Sequence, residues 1–236
     1  MNFFIRLSIN DKSNLPGLLS VVFHEIIHLI GARKFQVNEQ GDRRMITSGF
    51  TQRSVLARED RHVHFRAVEE GVVAELEKRH FSTMMADERL EKYRERRSNE
   101  EKIKIREQII SSSPNFKKFM IVDDILWVGD NMEHRDGVGY FRERRILSYI
   151  YQEIAEQVGV SSDGIFDEFV KAQLIGNFLP VARLMKQTFG EDAFRLLSLL
   201  DPKQRDDNSQ FQIVLETLQK MRRRQLGIIK KQVDEK

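Results

Sequence analysis

Between residues 17 and 33 the chain sets Leu18, Leu19, Val21, Val22, Phe23, Ile26, Ile27, Leu29 and Ile30 around almost the whole circumference of a helix. A helix apolar on every side belongs inside a domain, which predicts a buried helix here, begun at Pro16. Its polar exceptions are His24, Glu25 and His28. Two imidazoles and a carboxylate in such surroundings are costly unless something binds them.

Histidines four positions apart share one helix face, so both rings can reach a single ion from the same side. His-Glu-x-x-His arises by accident in roughly one chain in a hundred of this length, which makes the motif informative without being decisive. Neutral imidazole suits zinc, and zinc held by three protein groups keeps a fourth position for water. Glu25, between the two histidines, then stands ready as the general base toward a water activated by the metal. With no cysteine in the chain, disulfides and thiolate zinc sites are excluded, and the third ligand must be His, Asp or Glu. The stretch after the motif matches the extended metzincin pattern at Gly31, but Lys34 stands where that pattern needs a third histidine. An ammonium cannot ligate a cation, so the third ligand is expected farther downstream.

Along the rest of the chain, residues 3–9 read as a short strand, and Lys34-Phe35-Gln36-Val37 with residues 43–50 read as a hairpin. Phe65, Val68, Val72 and Leu76 have helical spacing and predict a second helix over about 65–80. Residues 84–110 alternate charges of both signs, the mark of a solvated helical segment. Phe119–Val122 and Ile125–Val128 are apolar enough for a strand pair or one buried segment, and a glycine-marked loop follows. From Phe141 onward the pattern is helical, with breaks expected at Gly159, Gly176, Pro180, Gly190 and Pro202. The expectation is an α+β chain in two parts: a metal-binding region over 1–139 and a helical region over 140–236.

Two adjacent carboxylates, Glu69 and Glu70, sit beside Gly71 on the second helix. Periodicity alone sets Glu69 nearer the apolar stripe than Glu70. Ser48-Gly49-Phe50 followed by Val68-Glu69-Glu70-Gly71-Val72 resembles a succession found in gluzincins, zinc peptidases whose third ligand is a glutamate on a second helix, and in small bacterial members of that clan above all. The resemblance covers about residues 18–80. It implies a zincin-like catalytic region with a small sheet, Zn2+ held by His24, His28 and Glu70, Glu25 as base, and hydrolysis of peptide bonds in a peptide or protein substrate. Gly71 would let the two helices approach across the metal. Many gluzincins orient a ligating histidine with an acidic residue four positions after the glutamate ligand; here that position is Ala74, with Glu75 one further on.

His62 and His64 are rival ligands, for which a loop or surface role is the expectation, and His80 and His134 stand alone. An oxyanion donor is also needed. Tyr140, on the turn Gly137-Val138-Gly139-Tyr140, is the choice for it, with Tyr149, Tyr151 and His134 behind. An extended substrate would add to a sheet edge, for which residues 3–9 are the only strand candidate before the motif.

Lys and Arg number 39 against 36 Asp and Glu, a formal charge of +3, so a nucleic-acid partner is not implied. The basic residues Lys220, Arg222, Arg223, Arg224, Lys230 and Lys231 are offset by Asp206, Asp207, Asp234 and Glu235. No stretch reaches the roughly 18 apolar residues of a membrane span, and a cytoplasmic location is expected. The competing expectation is a catalytically silent metallopeptidase-like scaffold that binds a partner through its charged helices.

Overall fold

The structure is a computed structural model that describes residues 15–37, 39, 43–53, 63–93, 98–112, 140–200 and 209–234. The expected strands at 3–9 and 119–128 lie outside those residues, as do His62, His134 and Pro202.

Helix α1 (Leu15–Ile30) leads into a sheet of β1 (Arg33–Val37), β2 (Arg43–Ser48), β3 (Thr51–Arg53) and β4 (Val63–His64). All neighbours in the order β1-β2-β3-β4 are antiparallel, and the expected hairpin is the β1–β2 pair, with Val37 opposite Arg43 and Arg33 opposite Ser48. After it come α2 (Arg66–Met84), a 3-10 turn at Glu88–Tyr93 and α3 (Asn99–Ser112). The helices α4 (Phe141–Val158), α5 (Ser162–Ile175), α6 (Leu179–Phe189), α7 (Ala193–Leu197) and α8 (Ser209–Asp234) complete an α+β chain.

Several boundaries differ from the sequence reading. The first helix ends at Ile30, not 33, because Arg33 already pairs with Ser48. The charged segment is divided between the 3-10 turn and α3. Pro180 lies in the first turn of α6 and does not end a helix; a missing N–H costs nothing there. Nor is α1 buried all round: Ser20 and Ile27 are buried, while Leu19, Val21, Ile26 and Ile30 are exposed. Apolar content states what a helix could bury, and packing decides which faces it does bury.

Two compact units make up the chain, Met1–Ile30 with Val73–Phe141, and Gly31–Val72 with Arg142–Lys236, and α2 runs through the boundary as one continuous helix. Ser20, Ile27, Val73, Ala74 and Phe81 are buried in the first unit. In the second, Phe50, Phe166, Phe169, Phe189, Phe211, Ile150, Ile154, Met185, Leu197 and Leu218 are fully buried. The Phe50 ring lies 4.9 Å from Phe178 and 5.9 Å from Phe169, and Tyr151 meets Phe169 edge-on at 4.9 Å. Ser161 caps α5 by accepting from the Gly164 N–H at 3.1 Å.

The turn Gly49-Phe50 is tied down inside this second unit. Gly49 donates its N–H to the Ala32 carbonyl at 2.7 Å, and Ala32 donates to the Gln173 carbonyl at 3.0 Å. The Gln173 side chain accepts from the Phe50 N–H at 2.9 Å. At φ +52°, with the Gln173 amide standing where a Cβ would go, position 49 favours glycine.

Candidate metal centre

On α1, Ser20, His24 and His28 follow one another at intervals of four and share a face. On α2, Glu70 and Glu77 are seven apart, two turns along one face of one helix. One ligand atom from each of His24, His28 and Glu70 lies within 4.8 Å of the other two.

The histidines converge through equivalent atoms, with the two Nε2 nitrogens 3.2 Å apart. Two nitrogens bound to one zinc at about 2.0–2.1 Å in tetrahedral geometry stand about 3.3 Å apart, so the observed separation, which is also that of a hydrogen bond between the rings, is compatible with chelation. His24 Nδ1 lies 2.9 Å from Glu77 Oε2. A carboxylate only accepts, so Nδ1 carries the proton in this contact, and Nε2 is the nitrogen turned toward His28. Glu70 is buried, and one of its oxygens accepts from Arg66 Nε one turn back at 3.4 Å. The donor set of two imidazoles and one carboxylate could hold a metal ion, and its chemistry is of the kind that suits zinc.

Glu69 has a different task. It accepts from the Thr51 N–H at 2.9 Å through one oxygen, and the Gln173 amide stands 3.4 Å from the other. It braces the turn after Gly49 from within the core. Its nearness to the apolar stripe, evident from periodicity, reflects that structural role.

Gly71, expected to ease the approach of two helices, has its nearest neighbours on α4. A Cβ there would meet Leu147 Cδ1 at 2.7 Å and Glu143 Cβ at 3.2 Å, so the close approach is to α4. The acid that meets His24 is neither at position 74 nor at 75 but at 77, one turn beyond the expected place. Ala74 is fully buried, and Glu75 pairs with Arg79. Glu77 and Ser20 went unnoticed in the sequence. The available signal was spacing: Glu77 follows Glu70 by seven and Ser20 precedes His24 by four, each on the ligand's own face.

Glu25 is exposed on α1 between the two histidines. The Tyr140 ring stacks on His24, with centroids 6.0 Å apart and planes at 11°. Its backbone has φ +60°, a conformation side chains seldom adopt and one met often where geometry serves a site. Tyr149 and Tyr151 belong to the second unit: Tyr149 is near Glu153, and Tyr151 is buried against Phe166 and Phe169. His64 lies on β4 opposite Gln52, and His80 stacks on Phe23 at 3.7 Å. Among the described residues, His24, His28 and Glu70 are the group of His, Cys, Asp or Glu side chains disposed to hold a metal ion. Compared with known proteins, the chain matches no family model, no curated protein and no solved structure.

Proposed function

We propose that this chain is a zinc-dependent, zincin-like peptidase of the gluzincin kind, acting on peptide or protein substrates. The observation that carries the reading is the convergence of His24, His28 and Glu70, one ligand atom of each within 4.8 Å of the other two, with Glu77 2.9 Å from His24 Nδ1. His24, His28 and Glu70 would hold the ion. When bound, zinc supplies a Lewis acid that polarises a substrate carbonyl and makes water easier to deprotonate near neutral pH.

Glu25 takes the proton from the attacking water and hands it to the departing amine. Its exposure suits that work, because a base buried behind its ligands could not reach a substrate. The Tyr140 hydroxyl donates to the oxygen on which negative charge develops, its ring placed by stacking on His24. Glu77 keeps the His24 proton on Nδ1 throughout. A chain without cysteine suits a reducing compartment, and the cytoplasm is the proposed location. Among the described residues no helix is long and apolar enough to cross a membrane.

The test is elemental analysis of protein purified without chelator, paired with digestion of a broad peptide library. One zinc per chain and chelator-sensitive cleavage are expected. Protein that carries no stoichiometric metal and cannot be loaded with zinc removes the basis of the reading.

A further inference from the structure

Ser20 and Glu77 are both buried, at 6% and 9% exposure. Ser20 Oγ donates to Glu77 Oε1 at 2.6 Å, and His24 Nδ1 meets Glu77 Oε2 at 2.9 Å, so each carboxylate oxygen has its own donor. A serine inside a helix ordinarily turns its hydroxyl back to the carbonyl one turn earlier. Ser20 instead reaches from α1 to α2.

Helix packing does not require this arrangement. A buried polar cluster is at best comparable in stability with well-packed apolar side chains of the same volume, and it becomes a liability as soon as one partner is lost. Leucine at 77 and alanine at 20 would join the two helices as well. What apolar residues could not do is select a tautomer. With Glu77 accepting at Nδ1, the His24 proton is committed to the side away from His28, and Nε2 is left as a donor of electrons.

We propose that Ser20 and Glu77 are a positioning pair: the Ser20 hydroxyl holds the Glu77 carboxylate in one rotamer, and that carboxylate fixes both the ring plane and the tautomer of His24, so that Nε2 faces the metal position before any ion arrives. The pair touches neither the ion nor the substrate and acts through His24 alone. The proposal rests on the zinc-site reading for its purpose, but not for its structural content.

The experiment has two readouts on the full chain and on the variants Glu77→Gln, Ser20→Ala and Ser20→Thr. Imidazole nitrogen NMR of the metal-free protein reads the His24 tautomer, and competition with a chromophoric chelator reads zinc affinity. In the parent chain His24 is expected as the Nδ1-protonated form. In Glu77→Gln it becomes a mixture, because the amide can accept from or donate to the ring, and zinc affinity falls about 10–100-fold. Ser20→Ala shifts both readouts the same way by a smaller amount, roughly 2–10-fold in affinity, and Ser20→Thr, which restores a hydroxyl, recovers most of the loss. Circular dichroism shows whether each variant keeps the parent's helix content, and Ser20→Ala, which only removes an oxygen, carries the test if Glu77→Gln does not fold. A parent chain whose His24 is not held as the Nδ1 tautomer, or variants that bind zinc as tightly as the parent, overturn the positioning pair. A parent with the expected tautomer that binds no zinc overturns the metal-site reading instead.

Discussion

One carboxylate oxygen of Glu70 lies within 4.8 Å of a ring nitrogen of His24 and of one of His28, while its neighbour Glu69 accepts from the Thr51 N–H at 2.9 Å. Successive residues on a helix are turned by about 100°, so two adjacent carboxylates cannot serve one site. The difference is measurable. Glu70→Gln replaces an anionic ligand by a dipole and is expected to weaken zinc binding by roughly 100-fold or more, above the range typical of outer partners. Glu69→Gln sets an amide N–H2 against either the Thr51 N–H or the Gln173 amide and is expected to cost about 1–3 kcal/mol of stability with zinc affinity nearly unchanged. Chelator competition and urea unfolding on both variants separate the two roles. A loss of zinc confined to Glu69→Gln would move the ligand by one residue.

Glu25→Gln should keep zinc and fold and lower peptide hydrolysis by about 10²–10⁴-fold, since the amide preserves size but cannot take up a proton. The measurement is turnover of a library-selected peptide beside metal content. Turnover near the parent level would assign the base elsewhere.

Tyr140→Phe retains the ring that stacks on His24 and removes only the hydroxyl. With that donor gone, kcat is expected to fall by about 10²–10³-fold while zinc affinity stays within the parent range. A change in zinc affinity without a change in kcat would mean that Tyr140 only packs against the histidine.

Gly71→Ala pits two effects against each other. Alanine gains about 1 kcal/mol of helix propensity over glycine, but its methyl would stand 2.7 Å from Leu147 Cδ1 and 3.2 Å from Glu143 Cβ. The leucine tip can move and the Glu143 Cβ cannot, so an overpacking cost of about 1–3 kcal/mol should win. Urea unfolding is expected to show net destabilisation, and a more stable variant would show that α2 and α4 can separate freely.

The Tyr149 phenol is pushed up to about 12, first by burial and then by the charge of Glu153. Its sign follows from linkage: the folded state holds the proton more tightly than the unfolded chain, whose phenol titrates near 10. The resulting stability is fully present below the unfolded value and is lost as pH rises toward about 12. Alkaline titration by phenolate absorbance should show a late-ionising tyrosine in the parent that is missing from Tyr149→Phe.

The sequence by itself determined those features that depend on local periodicity. The helix carrying His24 and His28, the hairpin of β1 and β2, the helix carrying Glu70 and the helices after Phe141 follow from 3.6-residue and two-residue patterns, which act between near neighbours and are visible along the chain. The closeness of the His24 and His28 rings is of the same kind, because a spacing of four within one helix sets them on one face.

Tertiary structure decided every relation that joins distant segments. Residues 51 and 173 claim Glu69, the methyl of Leu147 and the backbone of α4 claim the space at Gly71, and Glu77, not a residue at 74 or 75, meets His24 across 53 positions. Such pairings depend on how far one helix is slid and turned against another. Many side chains together set that offset, and no single stretch of sequence encodes it.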